Sequence, residues 1–194
     1  GNIFDLGVDP LGELLSNSLE IRDFESHLAG GAELAGEVSN NFTKATTFRI
    51  NGLEYAQLGA DTVTEIAGVL STVVVYLRAM ERAGIGMEVA LKQCLIIVSV
   101  GTDQFLDIAK LRALRLLLLN IGKACGVESF QIKIQAQTPD YLISRDDPWV
   151  NLLRTTIGCF SAATGGADII SIPAFDSAFG IPNEFGLRLA RNTH

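Results

Sequence analysis

Short apolar runs typical of strands alternate along this chain with longer segments whose apolar residues recur at helical spacing. Each such succession predicts a strand followed by a helix. Short runs rich in β-branched residues predict four strands, at 46–50, 94–100, 130–134 and 168–172. Apolar positions at helical spacing predict helices from near Thr62, where Glu65 completes a capping box, after 101–103, from Asp147-Pro148, and over 183–191. Residues 45–194 are therefore predicted to form four consecutive βα units.

The first 44 residues show a different pattern, and we predict a helical N-terminal segment, 1–44, that leads into the repeats. Asp9-Pro10 predicts the start of a short helix, and 21–38 has helical spacing that Gly30-Gly31 interrupts. In the helix from Asp147, Trp149 is predicted to be a packing anchor. The predicted buried stripe of that helix consists of Leu152, Leu153, Thr156, Ile157, Phe160 and Ala163.

Four successive βα units require parallel strands joined by right-handed crossovers. Two α/β architectures fit: a small doubly wound sheet, or half of a TIM-type (β/α)8 barrel. No GxGxxG or GxxxxGK[ST] sequence follows a strand, so neither a dinucleotide site nor a P-loop is indicated. Because four strands do not close a barrel, the strands that begin near Thr46 and Asp168 should have exposed edges, which self-association or a longer parent chain would cover.

Charge and cysteine content narrow the possible partners and the compartment. The 194 residues carry a net charge of −7, which argues against nucleic acid and against an anionic membrane surface. The densest basic cluster, Lys110, Arg112 and Arg115, is interpreted as a solvated helix face. Three widely spaced cysteines without a CxxC pair indicate a reducing, cytoplasmic location. No apolar run reaches the roughly 18–20 residues that span a bilayer, and no signal peptide is visible.

The predicted strand ends offer binding groups and no evident catalyst. The segment 135–139 (Gln-Ala-Gln-Thr-Pro) supplies amides and a hydroxyl, which can bind a ligand but do not exchange protons near pH 7. Asp103, Asp140 and Asp176 are the ionisable groups at strand ends. They could bind magnesium if they converged, but turn and cap roles are favoured for Asp103 and Asp140. His27 and His194 share no metal-ligand spacing, and His27 is expected on a helix surface.

Several segments in the same order resemble the methylmalonyl-CoA mutase family, across nearly the whole chain. The segments that carry the resemblance are 4–12 (Phe-Asp, then Asp-Pro-Leu-Gly), 50–60 (INGLEY and LGA), 107–113 (DIAKLRA), Gln137-Thr138, 147–156 (DP, N and RTT), 174–176 (AFD) and 189–193 (LARNT). The resemblance implies an adenosylcobalamin-dependent acyl-CoA mutase barrel, with cobalamin held by a separate domain marked D-x-H-x-x-G. No histidine of this chain follows an aspartate in that pattern.

The departures from the family pattern fall at its active site. Catalytic members have a histidine two residues before the Gln-Thr pair, where this chain has Gln135, and a substrate-binding arginine where it has Gln93. The family's Ser-Gly after that pair becomes Pro139-Asp140. Loss of an arginine–carboxylate contact removes about 1.5–3 kcal/mol of binding. The resemblance thus implies no catalytic residue and no metal in this chain, with substrate-binding positions at Gln135, Gln137 and Thr138.

This pattern resembles the small subunit of heterodimeric mutases, a structural partner of the large subunit that binds adenosylcobalamin and interconverts methylmalonyl-CoA and succinyl-CoA. Two alternatives remain open. The chain could be a catalytic fragment acting on an acyl-CoA without a free carboxylate, or an acyl-CoA-binding module without catalysis.

Overall fold

The computed structural model of this protein describes residues 4–16, 20–42 and 44–193, and for Ile21 the backbone alone. His194 lies outside the described residues. The strands are β1 Phe4–Val8, β2 Ala45–Asn51, β3 Cys94–Ser99, β4 Lys133–Gln137 and β5 Ile169–Ser171. The helices are α1 Pro10–Leu15, α2 Phe24–Asn41, α3 Gly52–Gln57, α4 Thr62–Arg82, α5 Met87–Lys92, α6 Gln104–Ala124, α7 Pro148–Gly165 and α8 Glu184–Thr193.

The strand pairs β1–β2, β2–β3 and β4–β5 are parallel. Consecutive parallel strands joined through helices are the arrangement of part of a (β/α)8 barrel, which confirms the predicted fold class. By its internal contacts the chain divides into two compact units. Unit 1 comprises Gly1–Ile97 with Arg115–Lys133, and unit 2 comprises Val98–Leu114 with Ile134–His194.

Strand β1 is an element that the sequence analysis did not predict, and it gives the described chain five strands where four were expected. It pairs with β2, so the expectation of an exposed edge near Thr46 is wrong. A register shift between Asp5 and Val8 marks a bulge, and Gly7 there has φ of 73°, the left-handed conformation that glycine adopts without strain. Arg49 Nη2 lies 2.6 Å from Asp5 Oδ2 across the same strand pair.

Helix α2 runs without a break through Gly30 and Gly31, contrary to the sequence prediction. Gly31 faces the sheet, where an added Cβ would lie 2.8 Å from Val8 Cγ1 and 2.9 Å from Phe48 Cζ. At Gly30 an added Cβ would meet nothing within 4 Å. The glycine pair therefore reflects close packing on one side of the helix rather than its termination.

The core of unit 1 lies under helix α4. Phe48 and Tyr76 are fully buried and stack with ring centroids 4.6 Å apart. Asp61, not Thr62, caps this helix by accepting a hydrogen bond from the Thr64 amide, so the capping box was placed one residue late. An 18-residue window of α4 has mean hydropathy 1.5, enough by length and composition for a membrane span, but helices at the core of soluble proteins have the same composition.

Two further predictions are corrected in unit 2. Strand β4 begins at Lys133, three residues later than expected, so Gln135 and Gln137 lie inside the strand. Helix α7 begins at the predicted cap, with the Asp147 side chain accepting from the Trp149 amide, but it buries a different face. Leu153 and Phe160 are exposed, and the buried residues are Asn151, Thr155, Gly158, Cys159, Ser161, Ala162 and Gly165.

Candidate functional site

Strand β4 of unit 2 presents two amides side by side. Gln135 and Gln137 lie two residues apart and are half-buried, so they share one face of the strand, whereas Ala136 between them is fully buried on the other. Gln135 Nε2 donates to Gln137 Oε1 at 3.1 Å. Within the described residues this leaves Gln135 Oε1 as an acceptor and Gln137 Nε2 as a donor. The pair can bind a group that both donates and accepts, but it cannot transfer a proton.

Thr138 does not join this amide pair. Its side chain is 1% exposed and, by the alternation of the strand, lies on the buried side with Ala136. Its Oγ1 has no hydrogen-bond partner among the described residues, and it lies 3.1 Å from the place that a Cβ on Gly158 would occupy. Its amide donates to Ser171 O at 3.1 Å. Thr138 therefore packs β4 closely against α7, and substrate binding by Thr138, Gln135 and Gln137 stays a prediction.

Gln93 lies in unit 1 at the amino end of β3, immediately after α5. Its side chain is 4% exposed, and both the oxygen and the nitrogen of its amide form hydrogen bonds inside the protein. Gln93 Oε1 accepts from Thr47 Oγ1 at 2.9 Å, and Gln93 Nε2 donates to Ala45 O at 3.3 Å. The side chain thus joins the start of β2 to the start of β3.

The strand-end aspartates serve the fold and do not converge. Asp103 Oδ1 accepts from the Leu106 amide at 3.2 Å, the cap role that was expected. Asp176 Oδ2 accepts from the Asn183 amide at 3.1 Å. In the ranges that the structure describes, no group of three or more histidine, cysteine, aspartate or glutamate side chains could hold a metal ion.

A buried charged cluster follows β3 in unit 2, where the sequence analysis placed a solvated face. Lys110 is 3% exposed, and its Nζ donates to Ser99 Oγ at 2.9 Å and lies 3.5 Å from Asp107 Oδ1. Asp107 Oδ2 accepts from the Gly101 amide at 2.7 Å. The solvated-face interpretation is therefore wrong for Lys110. The three-residue spacing of Asp107 and Lys110 is the sequence signal that could have indicated the pair.

Asn151 in α7 holds two loops of unit 2 together. It is fully buried, and its Nδ2 donates to Ser144 O at 2.7 Å and to Phe175 O at 3.0 Å. Its Oδ1 accepts from the Ser144 amide at 2.9 Å and from Arg154 Nη1 at 3.0 Å. These bonds fix the segment that leads from β4 to α7 and the segment that follows β5, so they define the surroundings of the β4 carboxyl end.

The model of the methylmalonyl-CoA mutase family matches residues 5–194. The chain belongs to this family. It is 38% identical to the methylmalonyl-CoA mutase small subunit of Streptomyces virginiae, over 97% of this chain and 30% of that relative. The small subunit of Propionibacterium freudenreichii subsp. shermanii is 40% identical over 72% of this chain and 22% of its own length. The large subunit of Porphyromonas gingivalis is 32% identical over 84% of this chain and 23% of its own length.

This mutase-family chain therefore spans less than a third of the length of these relatives. It matches both subunit types, so the match to either name alone does not assign a catalytic role. At the residue level, the amide pair of β4 offers no titratable group.

The described residues do not fit cobalamin. The segment 25–30 (Glu-Ser-His-Leu-Ala-Gly) repeats the D-x-H-x-x-G spacing with glutamate in place of aspartate, but it lies inside the regular helix α2. Helix residues two apart do not face each other, so the Glu25 carboxylate cannot orient the His27 ring. His27 is on the helix surface, as expected, with Nδ1 3.8 Å from Glu13 Oε2.

Proposed function

We propose that this chain is the barrel portion of a methylmalonyl-CoA mutase small subunit, a structural and non-catalytic partner of the large subunit. The observation that carries the proposal is the amide pair on β4. Gln135, at the position that the resemblance assigns to a catalytic histidine, donates to Gln137 at 3.1 Å and has no group that exchanges protons near pH 7. Family membership and the similarity to proteins named small subunit support the same conclusion.

In this proposal the large subunit binds adenosylcobalamin and interconverts methylmalonyl-CoA and succinyl-CoA in the cytoplasm. The chain described here contributes fold and contact surface. Its buried polar residues agree with such a role, because Gln93, Asn151 and Lys110 all direct their polar atoms into internal hydrogen bonds.

The test uses the full-length protein that contains this chain, alone and mixed with the large subunit from the same organism. Sedimentation velocity should show a one-to-one complex, and turnover of methylmalonyl-CoA with adenosylcobalamin should require the large subunit. Turnover by the small-subunit protein alone would contradict the proposal and favour a catalytic chain with an altered substrate.

The geometry of the amide pair favours a second candidate, the binding of an acyl-CoA. The unused Gln135 Oε1 and Gln137 Nε2 form an acceptor and a donor on one face, which matches a secondary amide of the pantetheine arm. Calorimetric titration with coenzyme A tests this candidate. Binding that a Gln135→Leu, Gln137→Leu variant loses would support it, and equal affinity of variant and wild type would exclude the pair as the ligand site.

A further inference from the structure

Strand β5 of unit 2 places a hydroxyl beside the amide pair of β4. The parallel register pairs Gln137 with Ser171. Residues paired in this way project to the same face of the sheet, and the two strands lie about 4.8 Å apart. Ser171 is therefore on the face that carries Gln135 and Gln137, next to the Gln137 side chain.

The Ser171 side chain has hydrogen-bonding capacity that the fold does not use. The residue is half-buried, and its Oγ forms no hydrogen bond within the described residues. Its backbone oxygen, in contrast, accepts from the Thr138 amide at 3.1 Å. A serine hydroxyl can donate one hydrogen bond and accept two. The sheet thus holds the backbone of Ser171 in place and leaves its hydroxyl to a ligand.

Gln137 and Ser171 form the last regular row of this strand pair. Strand β4 ends at Gln137 and β5 ends at Ser171. Pro139 and Pro173 each follow two residues later, and neither has an N–H with which to continue the ladder. The two polar side chains therefore lie together at the carboxyl edge of the strands, where parallel βα folds bind their ligands.

Three groups on this face have complementary hydrogen-bonding roles. Gln137 Nε2 and Ser171 Oγ can both donate, and Gln135 Oε1, which the contact between the two amides leaves unused, can accept. A carbonyl oxygen has two lone pairs and can accept from both donors, while an N–H of the same ligand donates to Gln135. A secondary amide carries both groups, whereas a thioester has the carbonyl without the N–H.

We propose that Ser171 is a ligand-binding residue, and that Ser171 and Gln137 together hold the carbonyl oxygen of a secondary amide whose N–H donates to Gln135. The proposal rests on the second candidate of the proposed function, the binding of coenzyme A, and adds a residue from another strand. The glutamine pair alone offers the carbonyl one donor. Ser171 supplies the second donor from β5, so the ligand is fixed across two strands, which position a group more precisely than loops do.

The experiment is a calorimetric titration of the full-length protein that contains this chain, so that every segment that could cover this face is in place. The probes are coenzyme A, pantetheine, and the phosphoadenosine diphosphate half of coenzyme A. Ser171→Ala removes the hydroxyl, and Ser171→Thr retains it on a residue type that strands favour. The matched control is Ser39→Ala in α2 of unit 1, where a half-buried serine Oγ donates to Gly36 O at 2.8 Å. Thermal melts establish that each variant is folded.

We expect Ser171→Ala to weaken the binding of coenzyme A and of pantetheine about three- to tenfold, the effect of one neutral hydrogen bond. Ser171→Thr and Ser39→Ala should bind both probes within about twofold of wild type. The nucleotide half should bind all variants equally, because it has no part in the contact with Ser171.

The other outcomes separate this inference from the proposals on which it rests. If Gln135→Leu, Gln137→Leu loses coenzyme A binding and Ser171→Ala keeps it, the role of Ser171 is refuted and the second candidate stands. Equal losses in Ser171→Ala and Ser171→Thr, or an equal loss for the nucleotide half, would also overturn the role of Ser171. If wild type does not bind coenzyme A, this inference and the second candidate fail together, and the non-catalytic role, which sedimentation tests, is unaffected.

Discussion

The buried contact between Asp9 and Tyr76 makes Tyr76→Phe the sharpest test of the packing in unit 1. The Tyr76 hydroxyl donates to Asp9 Oδ1 and accepts from the Leu11 amide at 2.9 Å. The Asp9 carboxylate also accepts from the Gly12 and Asn51 amides, each at 3.2 Å. One hydroxyl therefore joins α4 to the turn between β1 and α1, and the same carboxylate joins that turn to the end of β2.

The substitution removes only the hydroxyl, because phenylalanine keeps the ring that stacks on Phe48. A hydrogen bond to a charged group contributes about 1.5–3 kcal/mol to the free energy of unfolding. Leaving the Leu11 amide without a partner costs at most about 3 kcal/mol more. We therefore expect the free energy of unfolding to fall by about 2–5 kcal/mol, measured by urea denaturation at pH 7. That is a large part of the roughly 5–15 kcal/mol that stabilises a typical domain.

The loss should also depend on pH. Burial raises the pKa of Asp9 above its ordinary value of 3.8, and the Tyr76 hydrogen bond opposes that shift. Because the pKa is raised in the folded state, Asp9 stays protonated to a higher pH in the folded protein than in the unfolded chain. Its contribution to the free energy of unfolding therefore falls as pH rises through the folded-state pKa. Tyr76→Phe raises that pKa further. The difference between variant and wild type should therefore be smallest below about pH 4 and grow towards neutral pH.

Tyr55→Phe is the matched control, since the Tyr55 hydroxyl bonds the uncharged Thr72 Oγ1 at 2.7 Å. It should cost about 0.5–1.5 kcal/mol at every pH. Equal losses for the two variants, without a pH trend for Tyr76→Phe, would refute the assignment of a buried charged hydrogen bond to Asp9.

Three further experiments probe separate parts of the fold. Asn151→Ala should lower the free energy of unfolding by about 3 kcal/mol in urea titrations, because several buried groups lose partners; a loss below about 1 kcal/mol would contradict this. Gly31→Ala should lower the free energy of unfolding by about 1–3 kcal/mol, because its Cβ would clash with Val8 and Phe48. Gly30→Ala should raise it by about 0.5–1 kcal/mol, because its Cβ would meet nothing. Equal shifts of the two melting temperatures would refute the close packing at Gly31. A disulfide reagent at pH 8 should label exposed Cys125 quickly and spare Cys94, whose pKa burial raises to about 12.

The sequence was sufficient to predict the elements that have clear end signals. The helix from Asp147-Pro148 begins where its cap and proline indicated, and the helices near Thr62 and Asn183 are present within a residue or two. These signals are local: a cap satisfies an amide two or three residues away and needs no tertiary partner. The pattern of apolar residues alone also predicted the ends of strands β2, β3 and β5 to within about two residues.

The sequence could not show which face of a helix is buried when the usual polarity is reversed. In α7 the inner face holds Asn151, Thr155 and Ser161, whose polar atoms bond internally, and Gly158 lets the helix approach β4. The large apolar residues point outward. The hydrophobic pattern therefore predicted correctly that α7 has an apolar stripe. It was wrong to predict that this stripe is the buried face.

The candidate site was partly predictable. The two-residue spacing of Gln135 and Gln137 places them on one face of the strand, and their role in substrate binding stays a prediction. Thr138 was grouped with them through the family's Gln-Thr motif, and strand alternation turns its side chain to the other face. Strand β1 was missed because its five residues include a glycine and few β-branched side chains, so its pairing comes from tertiary context.

The bulge in β1 has a consequence for how this chain behaves beside other strands. A flat, regular edge accepts any extended segment, which is the first step of strand-by-strand aggregation. Here regular pairing is interrupted after Asp5, where Gly7 turns the backbone, so an incoming flat strand could make few consecutive ladder bonds. The irregularity at Gly7 therefore limits the length of regular ladder that an added strand could form along β1, which disfavours aggregation through this strand.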